Sequence, residues 1–143
     1  MRALLDVNVL IALLDQTHAH HPRAQAWLEA NIQHGWASCP LTENGCTRVM
    51  SQPNYANAVP VTLAASRLAE ARQTDHHRFW PDALSLLDPT KVDLSYALGP
   101  KQLTDIYLLA LAVYNGGRLV TFDRRIALQA VPAAAVGSLV RIP

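Results

Sequence analysis

The chain has 143 residues, half of them hydrophobic, and carries a formal net charge of +1 at pH 7. This length fits a single domain spanning residues 1–143 with its own apolar core, and the near-neutral charge excludes a basic tail for non-specific nucleic-acid binding. Two cysteines are too few for a secreted disulfide framework and no apolar run is long enough to span a membrane, so the sequence predicts a soluble, cytoplasmic protein.

The first predicted element is a short, wholly apolar strand, Ala3–Leu5, followed by an apolar helix that starts near Val9. A strand without a polar position belongs at the centre of a parallel sheet. Asp6 follows its carboxyl end, the edge at which α/β sheets bind ligands, and Asn8 is placed to orient whatever Asp6 holds. The alternative is that Asp6 only caps the helix.

An acid at a strand–helix junction recurs in the next unit. A helix over residues 22–33 precedes a strand over 36–39, and Glu43 lies where the following helix opens. Arg48 is near enough to contact a phosphate at the same place, although a surface salt bridge is the plainer role for it.

The middle of the chain carries weaker patterns. Residues 62–74 predict a helix with Leu63 on its apolar face, and His76 and His77 are expected in an exposed loop. Between residues 88 and 101 the only predicted element is a minor edge strand at 92–94.

The last part of the chain holds two more acidic junctions. Residues 103–114 predict a buried helix with Thr104 as its N-cap and Asp105 in its first turn, and a strand over 118–122 ends at Asp123. A short helix and a final strand follow at residues 126–131 and 138–142. Strands alternating with helices predict an α/β fold, a three-layer α/β/α sandwich around a mostly parallel sheet of four to five strands.

Four carboxylates gathered at one sheet edge would repel one another unless a cation neutralised them. Hard oxygen ligands favour Mg²⁺ or Mn²⁺, which lower the pKa of bound water and stabilise a phosphodiester under attack. The chain has no glycine-rich phosphate loop and no nucleophile turn, and no histidine lies at the four junctions. The pattern therefore indicates metal-dependent phosphoryl transfer to water.

The segments LLDVNVLIALL, TDIYLLALA and LVTFDRR, together with the Glu43 helix, resemble a PIN domain, and most closely a VapC-type toxin of a VapBC pair. The resemblance implies a Mg²⁺-dependent endoribonuclease that cuts a structured RNA such as tRNA or rRNA, leaving a 5′-phosphate and a 3′-hydroxyl. It also implies a homodimer and an antitoxin partner. Carried over by position, the metal-binding and catalytic acids are Asp6, Glu43, Asp105 and Asp123, supported by Asn8 and Thr121. Arg48 and Arg124 are the predicted substrate-binding residues.

Two other functions fit parts of the pattern. A haloacid-dehalogenase-like phosphatase would use Asp6 as nucleophile, but that family needs a second Asp where this chain has Asn8. A non-catalytic PIN module that only binds RNA or protein would be expected to have lost the acids. For an antitoxin, we expect an apolar groove on the helices within residues 1–33 and 41–76 to accept an amphipathic helix.

Overall fold

The computed structural model describes residues 1–143, which form a five-stranded sheet with helices on both faces. The strand order is β3-β2-β1-β4-β5, and every neighbouring pair is parallel. The strands are β1 (Ala3–Leu5), β2 (Trp36–Ser38), β3 (His77–Phe79), β4 (Arg118–Thr121) and β5 (Leu139–Arg141). The predicted α/β/α sandwich is confirmed, and its sheet is parallel throughout.

Two cores cover the two faces of the sheet. Because side chains alternate along a strand, Leu4 points into one core while Ala3 and Leu5 point into the other. The helices are α1 (Val7–Leu14), α2 (His21–Asn31), α3 (Pro40–Met50), α4 (Val61–Ala71) and α5 (Leu103–Tyr114). Helix α5 lies in the Leu4 core and is buried continuously over residues 106–112, as its apolar sequence predicted. No helix has both the length and the apolarity that a membrane crossing requires.

The carboxyl ends of all five strands meet at one edge, and the first turns of α1 and α3 lie there because each helix follows its strand almost at once. Gly45 allows α3 to pack tightly against α1, since a Cβ at this position would come within 2.7 Å of a Val7 methyl group. This close approach brings the amino-terminal halves of the two helices together at the edge.

The predictions for residues 61–79 were partly wrong. His77 is 8% exposed and begins strand β3, whereas we expected an exposed loop. Its ring packs against the edge of the Trp36 ring, which offsets the weak strand propensity of the segment. Leu63 is 42% exposed rather than on the buried face of α4, where Ala64 and Leu68 make the contacts with the core.

Three further predictions, of an edge strand, a helix cap and a short helix, were wrong. Val92 is buried in a turn that leads to the 3₁₀ helix Leu94–Tyr96, so the predicted edge strand is absent. Thr104 does not cap α5, because the turn Pro100–Gln102 runs directly into the helix and makes Gln102 the capping position. The helix predicted at residues 126–131 is only a 3₁₀ turn, Leu128–Ala130, because the backbone is extended at Ala127 and Val131 on either side of it.

Candidate functional site

Asp6 lies at the centre of the carboxyl edge and is 5% exposed. One carboxylate oxygen accepts a hydrogen bond from the backbone N–H of Val7 at 2.7 Å, and the other accepts one from the Thr121 hydroxyl at 2.6 Å. Burial raises the pKa of Asp6, and these two hydrogen bonds only partly oppose the rise. Asp6 is therefore both the N-cap of α1 and an acid held in a fixed direction at the sheet edge.

Thr121 connects three predicted site residues through one hydroxyl group. It donates to Asp6 and accepts from the backbone N–H of Asp123 at 3.0 Å and from Asn8 Nδ2 at 3.3 Å. A hydroxyl has one donor and two acceptor positions, so its capacity is fully used. Asn8 completes the connection by accepting from the Phe122 N–H at 3.3 Å, which ties the start of α1 to the end of β4.

Asp105 is the acid whose ionisation the fold opposes most clearly. Burial, with the charges of Asp6 and Asp123 nearby, raises the pKa of Asp105 to about 7, although Arg125 acts in the opposite direction. For Asp123, hydrogen bonds from Arg125 outweigh burial, and the pKa lies below its usual value. The Arg125 backbone N–H donates to Asp123 Oδ1 at 2.8 Å.

Glu43 is held from a different direction. Its Oε2 atom accepts a hydrogen bond from Ser38 Oγ at 2.7 Å and lies 3.1 Å from the Arg72 guanidinium. Ser38 Oγ is also 2.8 Å from His77 Nε2. Because the only hydroxyl proton of Ser38 goes to Glu43, the His77 Nε2 atom must carry a proton and donate to Ser38. Burial and the charges of three nearby arginines lower the pKa of His77 to about 4, so the ring is neutral.

The structure thus places three aspartates close enough to perturb one another, while Glu43 is paired with Arg72 at the same sheet edge. No three Asp, Glu, His or Cys side chains are clustered tightly enough to enclose a metal ion as they stand. A cation site built from all four acids therefore stays a prediction.

The donor set nevertheless suits a hard divalent cation. All candidate ligands are carboxylate oxygens, and burial together with the charges of Asp6 and Asp123 raises the pKa of Asp105, so its ionised form would be favoured by a nearby cation. The roles of Asp6, Glu43, Asp105 and Asp123 as metal ligands stay predictions.

The two predicted substrate-binding arginines are exposed at the margins of this edge. Arg48 shares an open depression with Glu43 and Thr47 on α3. Arg124 lines a second depression with Asn8 and Asp123. Neither guanidinium is bonded to an acid, so both are free to meet an anion.

Sequence reasoning missed the residues that hold Glu43. Ser38 could have been found, because it lies near the end of a predicted strand and faces the same edge. Arg72 and His77 gave no local signal, since their contacts depend on how α4 and β3 pack against α3 and β2.

Comparisons with known proteins agree with this architecture. The family model described as PIN domain matches residues 3–132. Ribonuclease VapC44 of Mycobacterium tuberculosis strain H37Rv is 55% identical over 134 residues, covering 94% of each chain. Ribonuclease VapC38 of the same strain is 45% identical over 122 residues, covering 85% of this chain and 84% of the relative.

Two solved structures share the fold at low sequence identity. The VapBC2 complex of Rickettsia felis, bound to a DNA fragment from its promoter, gives a TM-score of 0.62 at 12% identity and covers all of both chains. Mycobacterium tuberculosis VapC20, described as a toxin that cleaves the sarcin-ricin loop, gives 0.58 at 13% identity and covers 81% of this chain and 85% of its own.

Proposed function

Because this chain belongs to the PIN domain family, we propose that it is the endoribonuclease toxin of a toxin–antitoxin pair. The observation that carries the proposal is the group of three aspartates, Asp6, Asp105 and Asp123, which lie close enough at the sheet edge to affect one another's pKa. Relatives named as ribonucleases align with almost the whole chain, and the PIN domain match over residues 3–132 includes all three acids.

We further propose that cleavage depends on Mg²⁺, with Mn²⁺ as an alternative, held by the three aspartates together with Glu43. Such an ion, when bound, acidifies a water molecule and stabilises the charge that develops on the phosphate. Thr121 keeps one oxygen of Asp6 in a fixed direction, and Asn8 keeps the end of β4 against α1. Without a cation, Asp105 holds a proton up to about neutral pH.

The proposed substrate is a structured RNA, tRNA or rRNA, cut to leave a 5′-phosphate and a 3′-hydroxyl. Arg48 lines a depression with Glu43 and Arg124 lines another with Asp123, so the two arginines would bind phosphates flanking the scissile one. Asn8 is a neutral amide hydrogen-bonded to Thr121 and to the backbone of Phe122, and an amide is too weak an acid to protonate a leaving group. This geometry disfavours the dehalogenase-like phosphatase.

For the antitoxin, we propose a docking groove on the opposite side of α1. A cavity of about 420 Å³ opens between α1, α2 and α4, lined largely by apolar side chains that include Leu10, Leu14, Leu28 and Leu68. Leu13 and Ile32 also line the cavity, so apolar surface remains available there. An amphipathic helix would bury this surface. A homodimer in the cytoplasm is part of the same proposal.

The central test is RNA cleavage by the Asp6→Asn variant, with Asp75→Asn as a control because Asp75 is an exposed acid near the amino end of β3, away from the carboxyl ends of the strands. We expect Asp6→Asn to slow cleavage at least about a hundredfold, since metal-assisted charge stabilisation is worth several kcal/mol, and Asp75→Asn to leave it unchanged. Circular dichroism would verify that both variants fold.

Three outcomes would contradict the proposal. Full activity of folded Asp6→Asn would remove the acids from the mechanism. Hydrolysis of p-nitrophenyl phosphate without cleavage of RNA would favour the phosphatase. RNA binding without any cleavage, in Mg²⁺ or Mn²⁺, would favour the non-catalytic module.

A further inference from the structure

Glu43 is held from two sides, and the two sides have different consequences for metal binding. We infer that Arg72 is a resident counter-cation that a divalent ion must displace from Glu43, and that Ser38 and His77 are positioning residues that aim the Glu43 carboxylate. The inference rests on the proposed metal-dependent function and concerns how the same site is filled.

The Arg72 contact occupies the face of Glu43 that a metal ion would need. A single guanidinium nitrogen lies 3.1 Å from one carboxylate oxygen and 3.3 Å from the other, so it approaches both at once. The guanidinium also lies 5.2 Å from the centre of the Phe79 ring, a distance suited to a cation–π contact. This contact explains why an aromatic side chain stays 42% exposed on edge strand β3.

The Arg72 contact is also a weak one. The two side chains keep 37% and 22% of their exposure, so water screens the pair. A divalent ion carries twice the charge of a guanidinium and can be shared with other carboxylates, which favours exchange once the metal concentration is sufficient. Arg72 therefore sets the concentration at which the site fills.

The Ser38 and His77 side is rigid by comparison. Ser38 is fully buried, His77 is 8% exposed, and both belong to strands that pair in parallel register. The hydrogen bonds run from His77 to Ser38 at 2.8 Å and from Ser38 to Glu43 at 2.7 Å. Glu43 thereby keeps one oxygen fixed when Arg72 leaves, which lowers the entropy that metal binding must remove.

The two sides predict opposite effects on metal affinity. Arg72→Gln removes the competing cation and should tighten Mn²⁺ binding by about twofold to fivefold, the range expected from a screened ion pair. Ser38→Ala and His77→Ala should weaken binding, because Glu43 loses its fixed direction. If these residues served only to stabilise the fold, no variant would bind Mn²⁺ more tightly than the wild-type chain.

The experiment measures Mn²⁺ binding to the full, EDTA-stripped chain by the electron paramagnetic resonance signal of free Mn²⁺. Arg78→Gln is the matched control, because Arg78 lies next to His77 on β3, is exposed, and does not contact Glu43. His77→Gln keeps a side-chain N–H that can donate to Ser38 and should restore most of the affinity lost in His77→Ala. Circular dichroism identifies any variant that fails to fold. Because Arg72 is partly exposed, Arg72→Gln tests whether the metal ion displaces Arg72 from Glu43 even if Ser38→Ala does not fold.

Unchanged or weaker Mn²⁺ binding in folded Arg72→Gln would overturn the role of Arg72. An equal gain in Arg78→Gln would show a general charge effect and would overturn it as well. Unchanged binding in both Ser38→Ala and His77→Ala would overturn the positioning role. If Asp6→Asn abolishes RNA cleavage while the Arg72, Ser38 and His77 variants bind Mn²⁺ as the wild-type chain does, only the present inference fails. If no variant or wild-type chain cleaves RNA while the affinities shift as described, the proposed function fails and the assignment of Arg72 stands.

Discussion

Two tyrosine hydroxyls illustrate, at the scale of single residues, what a polar group contributes when it has a partner and when it has none. Tyr55 donates a hydrogen bond to Asp15, whereas the buried hydroxyl of Tyr107 has no partner. We expect Tyr55→Phe to lower the free energy of unfolding by about 1–3 kcal/mol and Tyr107→Phe to raise it by up to about 1 kcal/mol. Urea unfolding at neutral pH measures both, and shifts in the same direction would contradict the contrast.

Asp15 gives a prediction about pH. Burial opposes its ionisation, but hydrogen bonds from Tyr55, Thr17 and Asn57 outweigh burial and lower the pKa to about 2. Because the folded-state pKa lies below the unfolded value of about 3.9, the stabilisation is complete above that pH and is lost as the pH falls toward 2. Asp15→Asn should therefore destabilise the protein by about 1–3 kcal/mol near neutral pH.

The pH dependence of that difference is the decisive measurement. Urea midpoints of the wild-type chain and Asp15→Asn should converge as the pH is lowered from about 4 toward 2, since Asp15 becomes protonated first in the unfolded state and then increasingly in the folded state. A constant difference between the two urea midpoints across this range would show that the hydrogen bonds to Asp15 do not stabilise its charged form.

The acids at the site show which of its features could be predicted from the sequence. The positions of Asp6, Asp105 and Asp123 follow from local pattern, because an acid after an apolar strand or at the start of a buried helix lies at the sheet edge. The partner of Glu43 does not follow, because Arg72 lies 29 residues away on another helix and reaches Glu43 only through the packing of α4 on α3.

At the scale of elements, β3 shows why a strand can escape sequence analysis. It has three residues, pairs on one side only, and begins with a histidine followed by an arginine, so it lacks the apolar alternation of a typical strand. Its place is set by pairing with β2, which is a tertiary contact. By contrast, α5 and β1 were predicted correctly because burial on nearly all sides leaves a continuous apolar sequence.

The groove between α1, α2 and α4 gives a prediction at the same scale. Leu28 lies on the wall of the groove, whereas Ala30 is exposed on the same helix away from it. We expect Leu28→Glu to weaken binding of the cognate antitoxin at least tenfold, since burying an unpaired carboxylate costs more than about 1.4 kcal/mol, and Ala30→Glu to have no effect. Surface plasmon resonance with the purified antitoxin would measure both.

RNA cleavage by these two variants serves as the control. Both should cleave as fast as the wild-type chain in the absence of antitoxin, because the groove and the acids lie on different parts of the molecule. Tight antitoxin binding by folded Leu28→Glu would place the partner elsewhere on the surface.

At the scale of the whole molecule, the three aspartates belong to segments far apart in the chain, and only the folded state brings them together. A ligand that binds the native state alone stabilises the entire domain, by about 1.4 kcal/mol at ten times its dissociation constant. We therefore expect Mg²⁺ to raise the melting temperature of the EDTA-stripped protein, and NaCl at the same ionic strength to raise it much less.

The Asp105→Asn variant decides whether that stabilisation comes from the site. Burial and the charges of Asp6 and Asp123 raise the pKa of Asp105 to about 7, so replacing this carboxylate with a neutral amide should make the metal-free variant melt higher than the metal-free wild-type chain at pH 8. The same change removes a proposed ligand, so the variant should gain little from Mg²⁺, whereas Asp75→Asn should gain as much as the wild type. Differential scanning fluorimetry would measure the rise in melting temperature that Mg²⁺ causes in each protein. An equal rise in all three proteins would place the ion away from Asp105.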